Sequence, residues 1–227
     1  MSAVLGHLKN FWHGFVEMLK RGLFAFQIFG HPFQGFYDLK NDPKRRSVPA
    51  AVMWLVLLGL SAIFRELLTG YLYSESEYAK LNINIPVILL TAVLPYLLFT
   101  ISNWCFTSLM DGDGSLTDIF CATAFATVPM TICNIIAIPV SNFASLGESS
   151  TYSFILTMGS VLTYLMIFLG MIQTHQYSVG KGLVTAVLTI VGMAVIAFIA
   201  ILIFFLIQQV AGFVGSLYTE ISYRLNE

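Results

Sequence analysis

Charge is what this sequence has least of. Asp, Glu, Lys and Arg make up 10% of the residues, against 57% hydrophobic ones, whereas water-soluble domains carry about 25% charged residues. Cysteine is sparse too. Cys105, Cys121 and Cys133 fall in or beside apolar stretches without CxxC or Cys/His ligand spacing, so no zinc site is indicated and all three read as buried thiols. There is no GxxxxGK[ST] phosphate loop, and no Ser, His and acidic residue are spaced to suggest a triad. These absences nominate no catalytic residue, no cofactor and no metal ligand. The first thirty residues do not read as a cleaved secretory signal, because Lys9, His13, Glu17, Lys20 and Arg21 interrupt the apolar ones and no small-residue cleavage site follows. The chain is expected to keep its start.

What is present is long apolar runs. Crossing roughly 30 Å of hydrocarbon takes about 20 apolar residues in a helix, and five stretches qualify: 48–71, 85–110, 117–143, 153–173 and 182–207. The expected class is therefore all-α, a polytopic membrane bundle of five helices. Seven of the eleven Lys and Arg residues precede the first span, and Lys181 lies before the fifth. By the positive-inside rule the N-terminus and the loops near Asp111 and Lys181 are cytoplasmic, and the C-terminus is extracytoplasmic, in a multi-pass cell-membrane protein. Tyr71, Tyr73 and Trp104 sit where an aromatic belt would place them. Three regions follow: a basic N-terminal arm (1–47), the five-span domain (48–209) and a C-terminal helix (210–227).

Both ends are patterned as amphipathic helices. Leu8, Phe11, Trp12, Phe15, Leu19, Leu23 and Phe26 recur at helical spacing, with Lys20 and Arg21 among the residues on other positions. Phe11, Trp12, Phe15, Lys20 and Arg21 are thus candidates for the membrane surface, although the same helix could pack on its own bundle. Gly30, Pro32 and Gly35 are expected to break it. Beyond the fifth span, Val210, Phe213, Val214, Leu217, Tyr218, Ile221 and Leu225 keep the helical step, with Glu220 and Arg224 as an i,i+4 pair. A helix over 182–225 is about 65 Å long, more than twice the hydrocarbon thickness. Its end must lie on the surface or dock on a partner or a second copy, through Phe213, Leu217, Tyr218, Ile221 and Arg224. Small residues offer further contact faces, at Gly159 and Gly170 in span four and Gly182, Ala186 and Gly192 in span five.

Within the spans, Pro95, Pro129 and Pro139 predict kinks near Thr91, Phe125 and Ile135, with Thr127, Thr131 and Asn134 close enough to satisfy freed carbonyls. A broken third span also suits a mid-depth binding site, but no charged residue adjoins it in sequence, which favours packing. Arg65 and Glu66 are the sole charged pair in a span. They lie about 24 Å beyond Pro49, a depth that suits snorkelling to the headgroups or an ion pair facing a partner. DGDGS at 111–115 begins like a calcium loop, but Leu116 stands at the sixth position and Ala122 at the twelfth. The mechanical reading makes Gly112 and Gly114 a tight turn between Asp111 and Asp113, and Ser115 with Asp118 a capping box for span three. His175 lacks a second ligand at metal spacing and reads as an interfacial polar residue. Spans two to five hold no ionisable residue at their centres, which argues against an autonomous ion-coupled carrier and leaves a passive pore open.

FYDLKND before the first span, NWCFTSLMDGDGSLTDI leading into the third, the following Val128-Pro129, HQYSVGKG before the fifth and the terminal EISYR together resemble the Yip1-domain membrane proteins, particularly their bacterial branch. The resemblance implies five spans and a cytoplasmic N-terminus. Eukaryotic members resemble partners of small GTPases, but the DLYGP-like motif they carry is echoed here only by Asp38 and Leu39. Bacterial members resemble accessory proteins found beside carbohydrate ABC transporters. Three readings stay open: a non-enzymatic accessory or scaffold protein with an integral membrane partner such as an ABC permease, a small transporter or channel using spans two and three, and a membrane-shaping protein.

Overall fold

The computed structural model describes residues 2–70 and 83–225, and these are helical apart from turns and caps. Tyr71, Tyr73 and Lys80, and the side chains of Phe11, Phe15 and Arg224, lie outside the described residues.

The chain opens with α1 (Ser2–Gly30) and α2 (Pro32–Asn41), which meet at His31. Pro32 supplies the break, since proline is at home in a first helical turn but not in a helix interior. Gly35 does not break anything: it is buried inside α2, where a Cβ would lie 2.7 Å from Ile28 Cα, so its role is close approach of the two helices. The turn after α2 is held by Asp42, whose carboxylate accepts the Lys44 N–H at 2.9 Å. The spans that follow begin with α3 (Val48–Leu68), capped by Ser47, and α4 (Ile85–Leu109), capped by Asn84; each has proline in its first turn. Next come α5 (Leu116–Ala126) and α6 (Val128–Phe143). A 3₁₀ turn (Leu146–Glu148) leads into α7 (Ser149–His175), and Ser145 donates to the Glu148 carboxylate from its N–H and Oγ–H, holding that carboxyl below its ordinary range. The last helix, α8 (Val179–Leu225), runs unbroken through the expected boundary at 209 and 210.

Among the described residues, five helical stretches are long and apolar enough to cross a membrane: α3, α4, α5 with α6, α7 and α8. The third is two helices. Its break falls at Thr127, next to Pro129, and the freed groups are satisfied by hydroxyls: Thr127 donates to Ala124 O at 2.7 Å, Thr131 to Thr127 O at 3.1 Å, and Met130 N–H to Thr163 Oγ1 of α7 at 3.1 Å. The helices run without interruption through Pro95 and Pro139.

The core is built around α5, with eight of its eleven residues buried. Cys121, Ala122, Ala124 and Ala126 keep its surface small, so α2, α3, α4 and α7 approach closely around it. The second half of α1 joins this packing. Gly22, Ala25 and Ile28 are buried, Trp54 Nε1 donates to Gly22 O at 2.9 Å, and Phe26 meets the Trp54 ring edge-on at 5.5 Å. The arm therefore rests on protein over this half, while Trp12, Lys20 and Leu23 are exposed.

Candidate functional site

The helix ends that carry most of the basic residues gather three distant segments into one polar knot. Lys40 at the end of α2 donates to Asp113 O at 2.5 Å and lies 3.8 Å from Asp118 Oδ2. Arg46 pairs with Asp118 Oδ1, a bond that raises the guanidinium pKa above its ordinary value. Asp118 also completes the capping box of α5: Ser115 donates to its Oδ2 from the N–H at 3.0 Å and from Oγ–H at 2.6 Å. One buried carboxylate thus caps a helix and anchors the N-terminal arm.

The 111–115 loop then closes over His175. The left-handed residue there is Asp111, at φ 53°, and neither glycine has positive φ. Gly112 and Gly114 are needed for another reason: a Cβ at 112 would lie 2.7 Å from His175 Nδ1, and one at 114 would lie 2.6 Å from His175 Cε1. His175 is fully buried rather than interfacial. Gly114 N–H donates to its Nδ1 at 3.2 Å, which fixes the proton on Nε2, 3.0 Å from Asn103 Oδ1. Asn103 Nδ2 in turn donates to Thr189 Oγ1 at 3.1 Å, and Ser102 Oγ–H donates to Thr189 O at 2.7 Å. Tyr177 stacks on His175 with ring centroids 5.3 Å apart, donates to Met110 O at 3.2 Å, and carries Lys181 over its ring face. Burial first, then the carboxylates of Asp111 and Asp113, push its phenol pKa up.

This knot joins α2, α4, α5, α7 and α8. No buried side-chain polar atom among the described residues lacks a partner, and no described group of His, Cys, Asp and Glu is arranged to hold a metal. Its chemistry is that of a clasp. DGDGS and HQYSVGKG were each legible as motifs; that they interlock through the two glycines and His175 was not.

The second feature is a cavity of about 520 Å³ between α3, α4, α6, α7 and α8, with its charged end away from the clasp. Leu58, Pro95, Phe99, Ile167 and Met193 contribute apolar wall, and Arg65 and Glu66 contribute charge. Arg65 does not reach outward to solvent. Its Nη1 donates to Asn134 Oδ1 at 3.0 Å, its Nη2 pairs with Glu66 Oε1 at 2.7 Å, and Asn134 Nδ2 donates to Ser61 Oγ at 3.1 Å. The kinked third span therefore has a cation beside it after all, brought from span one by packing that linear order does not reveal. Asn134 and Ser61 are the site residues the sequence alone did not pair.

The small-residue faces are used inside the fold. Gly159 meets Cys133, Gly170 meets Phe36, Gly182 meets Ile172 and Gly192 meets Phe106 and Ser102, so none of the four is free to receive a partner. What stays open is the far part of α8, where Phe213, Leu217, Tyr218 and Ile221 are all exposed.

An all-helical bundle with five apolar spans, a broken third span and a basic arm folded onto one end defines a polytopic membrane protein without a separate soluble domain among its described residues. The Yip1 domain model matches residues 26–202, more than three-quarters of the chain. The chain belongs to the Yip1-domain family. No curated protein and no solved structure matches it.

Proposed function

We propose that this Yip1-domain protein is a non-enzymatic membrane accessory protein that docks on an integral membrane partner through the far part of α8. The observation that carries this reading is one of register. Ser102 of α4 faces Thr189 of α8, and seventeen residues separate Ser102 from Ile85, where α4 begins. The same seventeen carry the antiparallel α8 from Thr189 only to Leu206. The nineteen residues after that, about 28 Å of helix, project past the bundle with Ile207, Val210, Phe213, Val214, Leu217 and Ile221 exposed. An exposed apolar stripe of this length is tolerated in lipid or under a partner, not in water. A permease of a carbohydrate ABC transporter is the partner class that the bacterial resemblance suggests, with the N-terminus cytoplasmic and the C-terminus outside.

Photo-cross-linkers placed at Phe213 and Leu217 in native membranes, read by mass spectrometry, test this. Capture of a transporter permease supports the reading; adducts to lipid alone, or to a second copy alone, refute it. A second reading, a small carrier, is favoured by the cavity, which Pro95 of α4 and Asn134 of α6 help to line. Reconstituted vesicles without flux of sugars, ions or peptides would remove it.

A further inference from the structure

The cavity has a shape and a charge pattern that specify a class of occupant. Along α4 its wall extends from Ile88 to Phe99, eleven residues or about 16 Å. Over most of that length the lining is aliphatic and aromatic; Thr91 donates to Val87 O and Ser160 to Leu156 O, and Tyr96 and Tyr164 bring phenol hydroxyls to the wall. Its volume lies in the ~300–1,000 Å³ range of sites for small organic ligands. An elongated, mostly apolar cavity inside a membrane bundle suits an alkyl chain.

The charged end lies where a headgroup would be. Arg65 is within one turn of the end of α3, and its guanidinium spends two of five N–H donors on Asn134 and Glu66. Glu66 is half exposed and lines the same cavity. The pair carries no net charge, so a ligand bearing only an anion would gain Arg65 but face the Glu66 carboxylate at low dielectric. A phosphate and a primary ammonium on one headgroup answer both: phosphate accepts from the guanidinium in its favoured forked geometry, and ammonium donates to the carboxylate.

We propose that the cavity between α3, α4, α6, α7 and α8 is a lipid site that takes one alkyl chain of a zwitterionic aminophospholipid, with its phosphate on Arg65 and its ammonium on Glu66. This stands apart from the docking role of α8 and does not rest on it.

The test uses the full chain, loaded in mild detergent with equal amounts of palmitoyl-oleoyl phosphatidylethanolamine and phosphatidylglycerol and read by native mass spectrometry. One ethanolamine lipid per chain is expected, held about tenfold more tightly than the glycerol lipid, the margin of one charged contact. R65Q should weaken ethanolamine-lipid binding about tenfold. E66Q should turn the preference toward the glycerol lipid, because the site then carries a net positive charge. A186F, which fills the cavity far from the charged pair, should abolish retention while leaving thermal unfolding unchanged or raised. Equal retention of the two lipids by the natural sequence, retention of free palmitate in their place, or an E66Q protein with unaltered preference would each overturn the proposal. The lipid comparison on the natural sequence decides it even where a variant fails to fold.

Discussion

The third span and the fifth are both apolar, yet they live in opposite surroundings. In the most apolar stretch of Leu116–Phe143, 67% of residues are buried in the protein; in that of Val179–Ser222, 6% are. The residues differ in size and in polarity: the third span buries Thr123, Thr127, Thr131 and Asn134 among its small residues. Buried α5 presents Cys121, Ala122, Ala124 and Ala126, and α8 presents Phe198, Ile203, Phe204, Phe205 and Leu206. With no water to expel, helices in lipid are held by close approach and hydrogen bonds, so small and hydroxyl residues mark the protein-facing side and bulky ones the lipid-facing or partner-facing side.

The comparison can be broken most severely at Phe125, which is fully buried in α5. Phe125→Ala should lower stability by about 3–5 kcal/mol, measured as detergent-solubilised unfolding. A loss as small as that of a surface substitution would mean α5 is not the core. Gly114→Val comes next, because its Cβ enters the space of His175 and Thr174; overpacking of this kind costs about 1–3 kcal/mol. A neutral outcome at Gly114 would show the clasp to be loose. Asp118→Ala removes a helix cap worth about 1 kcal/mol together with the anchor for Arg46. A double-mutant cycle with Arg46→Gln isolates the pair, which is partly exposed at Arg46 and should give a coupling of about 0.5–1 kcal/mol. At the other extreme, Phe213→Ser should change stability by less than about 0.5 kcal/mol while abolishing cross-linking to the partner. A large stability loss there would place the far part of α8 inside the fold.

Spans, termini and the α5 cap were legible because each depends on residues close together in sequence: runs of apolar residues, Ser115 with Asp118, Pro32 after Gly30. The two sites were only half legible. Arg65 and Glu66 were visible as a charged pair, but Asn134, which accepts from Arg65 and donates to Ser61, is brought there by packing of α6 on α3. His175 looked like an interfacial residue because the two groups that bond its ring, Gly114 and Asn103, come from 61 and 72 residues away. Glycine was only partly legible. Gly112 and Gly114 do lie in the turn between α4 and α5, but Gly35 suggested a break and Gly159, Gly170, Gly182 and Gly192 suggested docking faces, and all seven are places where one part of the protein comes too near another for a side chain.

Arg46 and Asp118 stand 72 residues apart in the chain. During synthesis the basic arm emerges two whole helices before the carboxylate that will fasten it. Until Asp118 is in place, α1 and α2 have only one another, α3 and the lipid headgroups to hold them. Insertion of the third apolar segment is thus the event that turns a tethered surface peptide into a fixed part of the molecule.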